Sequence, residues 1–228
     1  MGSKLFDFDE ALSIEAVYEP PEDFLKEFYA FHGQLVSIQR YFYFGDRFFR
    51  QYLIESRRLM MRSSQPTEDW VLGLFHDDIT LQDMDFLLEC HNRVVLVHLF
   101  ALAEGLFADV AKEVMSRLRC ELKLTKNGST LDKYFNFLRR ECGLELQIPK
   151  WIRSQLHALR ELRNQYTHST KELSPDVLAT LESIHTMPKY ADSRPDDAYV
   201  FHTFFIVGQL ATFLHEAYWK RFDEFESN

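Results

Sequence analysis

The sequence predicts an all-α protein, an up-and-down helical bundle preceded by an N-terminal helical extension. Three observations lead there. Only 7 Pro and 8 Gly occur in 228 residues, so long stretches lack the residues that break helices. Apolar side chains recur at steps of three, four and seven, which places them on one face of a helix. No strand pattern of comparable strength appears, and bundles are the simplest architecture for such a set of elements. We divide the chain into an extension over residues 1–78 and a helical bundle over residues 79–228.

In order along the chain, residues 1–20 are acidic and irregular. Pro21, followed by Glu22 and Asp23, is a good helix start, with acids in the first turn. Phe24, Phe28, Phe31, Leu35, Ile38 and Phe42 then form a stripe that continues to about Arg62, with Gly45 a candidate kink. Residues 63–69 read as a linker and 70–78 as a short element of unclear type. A second long helix is expected from Thr80, capped with Asp83, to Leu118; its middle is apolar nearly all round, as in a helix at a bundle centre. Ser129 or Thr130 caps a third helix that Gly143 ends, and Pro149 opens a central one. A short helix after Pro175 and a last long helix over residues 199–225 complete the set.

Composition narrows the function. The 46% hydrophobic and 27% charged residues are ordinary for a soluble globular protein, and the 21 Phe and 10 Tyr predict an aromatic core or a subunit interface. Cys90, Cys120 and Cys142 form no CxxC pair, so we expect neither disulfides nor a zinc ribbon but a reduced, cytoplasmic setting. No apolar run approaches 18 residues, so no membrane partner is expected. A net charge of −9 argues against broad, nonspecific nucleic-acid binding but leaves room for a local basic site.

Such a site is carried by the central helix. Between Lys150 and Lys171 lie Lys150, Arg153, Arg160, Arg163 and Lys171 against Glu161 alone, a local balance of 5 − 1 = +4. At 100° per residue, Ile152, Leu156, Leu159, Leu162 and Tyr166 make one apolar stripe. Arg153, His157, Arg160, Asn164 and His168 make a narrow polar one, with Arg163 on the border. Those residue types suit phosphodiester chemistry on RNA. A histidine can take a proton from a 2′-hydroxyl or give one to the leaving oxygen. An arginine fork can hold the phosphate and offset its growing charge. Positions 163 and 168 point about 140° apart on an ideal helix, so a second copy across a two-fold axis would complete the pair.

At these residues the chain resembles a known group. Arg163-Asn164-Gln165-Tyr166-Thr167-His168 matches the R-N-x-x-x-H form of the R-x(4–6)-H motif of HEPN superfamily ribonucleases. The resemblance includes Ser129–Tyr134, Phe137-Leu138, Gly143-Leu144 and Glu104-Gly105, and covers roughly Leu81 to Phe225. It implies a HEPN-like bundle, a homodimer, and a metal-independent endoribonuclease of toxin or defence type, with RNA as substrate and an antitoxin or defence protein as a further partner. Carried over by position, Arg163, Asn164 and His168 would be catalytic; Glu104 is expected to support them by pairing with Arg163 or Arg160, with an ordinary intrahelical contact as the alternative. Arg153, His157 and Arg160 are not motif positions; RNA contact is expected of them from helix geometry alone. No cofactor and no metal ion are expected: His91 and His98 lie two turns apart, too far for one ion without further ligands. Arg93 and His98 match the spacing too, but we read His98 as a core histidine and His202 and His215 as surface or interface residues. The rival readings are a non-catalytic HEPN-like bundle that binds a partner protein or nucleotide, and a helical adaptor whose polar stripe is covered by residues 21–62.

Overall fold

The computed structural model describes residues 14–22, 24–63, 70–124, 128–168, 175–182 and 197–226; of these, 53, 56–63, 70–85, 168, 178, 180–182 and 223–226 are described by their backbone alone. The architecture is an all-α bundle of six helices, with no strand among the described residues. They are α1 (Lys26–Ser63), α2 (Trp70–Leu118), α3 (Thr130–Asn136), α4 (Lys150–His168), α5 (Pro175–Glu182) and α6 (Asp197–Glu226), with a π-helical turn over Phe137–Glu141 directly after α3. The long α2 is the hub, touched by α1, α3, α4 and α6. One buried cluster runs through them from Tyr18, Phe28 and Phe42 to Val95, Leu99, Leu138, Leu162, Leu210 and Tyr218.

Several boundaries differ from expectation, each for a local reason. The Pro20-Pro21 pair stays outside the helix, which begins at Lys26; the Pro21 carbonyl instead accepts a hydrogen bond from the Tyr29 hydroxyl at 2.7 Å. Thr80 caps nothing, because α2 runs unbroken from Trp70. Its TLQD sequence resembles a cap, yet none of those residues interrupts an i→i−4 ladder. Nor does Gly45 break α1. It leaves room for the His91 ring, which a Cβ at that position would overlap. Ser129 does cap α3: its hydroxyl accepts from the Asp132 amide while the Asp132 carboxylate accepts from the Ser129 amide, a reciprocal capping box.

Residues 14–20 lie against α6. The Val17 carbonyl oxygen would be 2.7 Å from a Cβ at Gly208, so only glycine permits this approach. Tyr18 is buried, its carbonyl accepts from His32 Nδ1 at 2.7 Å, and its hydroxyl lies 3.1 Å from His215 Nδ1. Burial raises the Tyr18 hydroxyl pKa and lowers that of His215, so the phenol donates and the neutral imidazole accepts. His215 is thus half-buried against Phe24 and Phe28 rather than a surface residue.

His91, His202 and His215 all have pKa values lowered by burial. Because the folded values lie below the unfolded one, near roughly 6.5, the unfolded chain gains protons first as pH falls. Stability is therefore full above that pH and lost as pH drops toward the folded values. Thermal melts at pH 7.5 and pH 5.5, above the carboxylate range, should give the lower Tm at pH 5.5. His215→Gln should make that slope shallower, and a Tm independent of pH across the window refutes the prediction.

Within α2 and α6, the spans Phe86–Leu118 and Asp197–Phe222 are long and apolar enough to cross a membrane by length and composition. The absence of one continuous apolar run concealed this. The two helices pack against each other, and about half of each apolar window is buried inside the bundle, as core helices require. His98, expected in the core, is exposed and lines a groove with Ala101, Gly33 and Ser37, where small side chains of α1 and α2 leave a gap.

Candidate functional site

The site is built on α4, and the chain before it explains how α4 is held. Gly143 turns the backbone with φ of +72°, a value that favours glycine. Residues 144–148 then alternate in burial around a tight turn, in which the Leu146 amide donates to the Leu144 carbonyl at 2.8 Å: Leu144, Leu146 and Ile148 are buried, Glu145 and Gln147 exposed. This strap is fastened to the core at every second residue, and it delivers Pro149, whose carbonyl accepts from the Arg153 amide at 3.2 Å. From there α4 is amphipathic. Ile152, Leu156, Leu159 and Leu162 are buried; Arg153 and His157 are exposed; Arg160, Arg163, Asn164 and Tyr166 are half-buried.

Arg163 is the cation that ties the helix to α2. It donates to Glu104 Oε2 on α2 at 3.0 Å, and its Nε and Nη2 both donate to Asn164 Oδ1, at 3.3 and 2.9 Å. The guanidinium carbon lies 4.5 Å from the centroid of the Phe100 ring, one turn before Glu104 on the same face of α2. Charge, hydrogen bond and ring thus fix its plane. The side chain nevertheless remains 26% exposed, and Glu104 17%. Three of the five N–H donors of the guanidinium are engaged, and the other two have no partner among the described residues. The second oxygen of Glu104 is buried and finds no hydrogen-bond partner among the described residues.

The other basic residues separate into two kinds. Arg160 donates to Glu161 at 3.0 Å and to Asp132 of α3 at 3.4 Å, so much of its charge is locally offset. It also donates to His157 Nδ1 at 2.8 Å. A guanidinium only donates, so that nitrogen carries a lone pair and the His157 proton sits on Nε2. Arg153 has no hydrogen bond or ion pair with any described side chain, and it stands at the lip of a recess of about 230 Å³ between α2, α3 and α4. Phe100, Leu131, Leu156 and Leu210 form the recess floor; Ser129, Asp132, Asn136 and His157 supply polar groups at its wall. Sequence reasoning missed this recess and the Asp132–Arg160 contact, because Ser129 and Asp132 were legible only as a helix cap.

Arg163, Asn164 and Glu104 therefore meet, with Phe100 beneath them. Arg153, His157 and Arg160 lie farther toward the N-terminal end of α4, joined to that group through Phe100, which also lines the recess. The backbone of α4 stays helical through His168, whose side chain lies outside the described residues. The second motif match divides: Arg93 pairs with Glu89 and stacks on the Tyr166 ring at 4.8 Å, whereas His98 faces outward. No group of three or more His, Cys, Asp or Glu side chains suited to a metal ion occurs among the described residues. α1 packs on α2 and α6 and makes no contact with α4, so the polar stripe is not covered by that helix. No family model, curated protein or solved structure matches this chain.

Proposed function

We propose that the chain is a metal-independent endoribonuclease of HEPN type that works as a homodimer. In this reaction a 2′-hydroxyl of RNA attacks the adjacent phosphorus, the bond to the 5′-oxygen of the next nucleotide breaks, and a 2′,3′-cyclic phosphate and a 5′-hydroxyl result. One base removes the 2′-hydroxyl proton and one acid protonates the leaving oxygen. Arg163 holds the non-bridging oxygens and offsets the charge that gathers on them. His168 moves one proton, and the His168 of a second copy moves the other.

The observation that carries this reading is the Arg163 cluster. Glu104, Asn164 and Phe100 hold the guanidinium in one plane, yet two donors have no partner among the described residues, and α1 does not cover the polar face. An arginine held that way meets the geometric demand of phosphate binding without reorganising at the moment of reaction. Because α4 remains helical to His168, positions 163 and 168 project about 140° apart, which favours a composite site made by two copies. The test is cleavage of single-stranded RNA by the full-length protein in EDTA, with the product ends mapped. Cyclic phosphate ends that disappear in His168→Ala support the proposal. Cleavage that survives His168→Ala, or that requires added metal, overturns it.

A further inference from the structure

We propose that the recess between α2, α3 and α4 is a subsite for one nucleotide of the substrate, with the base inside and its phosphate on Arg153. The inference rests on the ribonuclease reading and adds to it a base-selecting position. A volume of about 230 Å³ is smaller than the roughly 300 Å³ and upward of pockets for larger ligands, and suits one planar ring system.

The lining supports a nucleobase in particular. Its floor is apolar and partly aromatic, with Phe100, Leu131, Leu156 and Leu210 below and Phe135 at the side. Bases of unpaired RNA are bound by burying a ring face on such surfaces while polar groups read the ring edge. Here the wall supplies both kinds of group. Asn136 can donate and accept, Asp132 accepts, and the tautomer imposed by Arg160 leaves His157 with an Nε2–H donor.

The mouth supplies the charge. Arg153 is exposed and engaged by no described side chain, and it lines both the recess and an adjoining groove. That groove also contains Arg139 of the π turn and Lys150 at the start of α4. A phosphate at Arg153 therefore leads away from the recess along a basic track. On its other side the recess shares Phe100 with Arg163, so a base seated there belongs to a nucleotide next to the cleaved bond.

The experiment is calorimetric titration of the full-length protein with each of the four nucleoside 5′-monophosphates, with the free nucleosides and with inorganic phosphate. At least one monophosphate should bind with a dissociation constant on the order of 1 mM or tighter, and at least tenfold better than phosphate. Arg153→Gln, a change at an exposed position, should weaken that monophosphate about tenfold and leave its nucleoside unaffected. Asn136→Trp, which fills the recess, should abolish binding of both. Phosphate binding as tightly as the monophosphates, unchanged binding in Asn136→Trp, or no binding by any nucleotide overturns the proposal. The two readings fail separately: a protein that cuts RNA but binds no mononucleotide keeps the ribonuclease and loses the subsite. One that binds but never cuts keeps the subsite and loses the ribonuclease.

Discussion

Arg163→Ala is expected to lower RNA cleavage by about 10²–10³-fold or more, the usual effect of removing a preorganised charge-stabilising donor. It should also cost stability, because Glu104 would be left mostly buried without its cation. For a pair that still touches solvent we expect about 1–3 kcal/mol, below the range for fully buried pairs. Arg163→Lys separates the two effects. An ammonium can still pair with Glu104, but it cannot reproduce the planar fork toward Asn164 and the stacking on Phe100. That variant should therefore recover most of the stability and little of the activity. The Glu104→Ala and Arg163→Ala double variant should lose less stability than the two single losses added, a coupling of about 0.5–3 kcal/mol in urea denaturation. Additive losses would mean that the pair contributes nothing, and full cleavage by Arg163→Ala would remove the ribonuclease reading altogether.

Gly45→Ala should destabilise the protein by about 1–3 kcal/mol through overpacking, although the same change inside an exposed helix usually stabilises by about 1 kcal/mol. The sign reverses because the new methyl group would overlap the His91 ring. That ring is held by its neighbours, although it also lines an open groove with Phe48 and Val94. It stacks on Phe42 at 5.8 Å with only 5° between the planes, and Tyr41 and Phe49 flank it at 4.9 and 5.6 Å. Its Nε2–H donates to the Phe42 carbonyl at 3.2 Å, so displacing it also strands a buried polar group. Combining Gly45→Ala with His91→Ala should recover part of the loss measured for the two separately. A Gly45→Ala protein that melts higher than the parent shows that the ring yields freely.

These two regions show what the sequence made legible. The apolar and polar stripes of α4 were readable because helical periodicity is a local property, and Leu156, Leu162 and Arg153 lie where it puts them. Ser129, Gly143 and Pro149 were readable for a similar reason, since caps and turns depend on a few neighbouring residues. Gly45 was read as a kink because its partner, His91, lies 46 positions away in sequence and on another helix. His98 was assigned to the core because an all-apolar stretch does not say which side its neighbours leave bare. The strap at residues 143–148 alternates over too few residues to stand out, and it pairs with no strand among those described. The recess draws side chains from four helices, Leu210 of α6 included, so no single stretch could announce it. The Glu104–Arg163 contact was anticipated as one of two pairings, and Asp132 takes the other arginine instead.

The seat of Tyr18 against His215 joins residues 197 positions apart, and Val17 rests on Gly208 of the same last helix. During synthesis this has a cost in time. α1 and α2 can pair as soon as they leave the ribosome, but the face of α2 that α6 covers stays bare until Asp197–Glu226 has been made. The 108 positions from Leu118 to Glu226 take roughly 5–22 s at ordinary elongation rates. Throughout that interval the nascent chain displays its most apolar helix with no partner for one side. The N-terminal segment then closes last, over a helix that did not exist when the segment itself emerged.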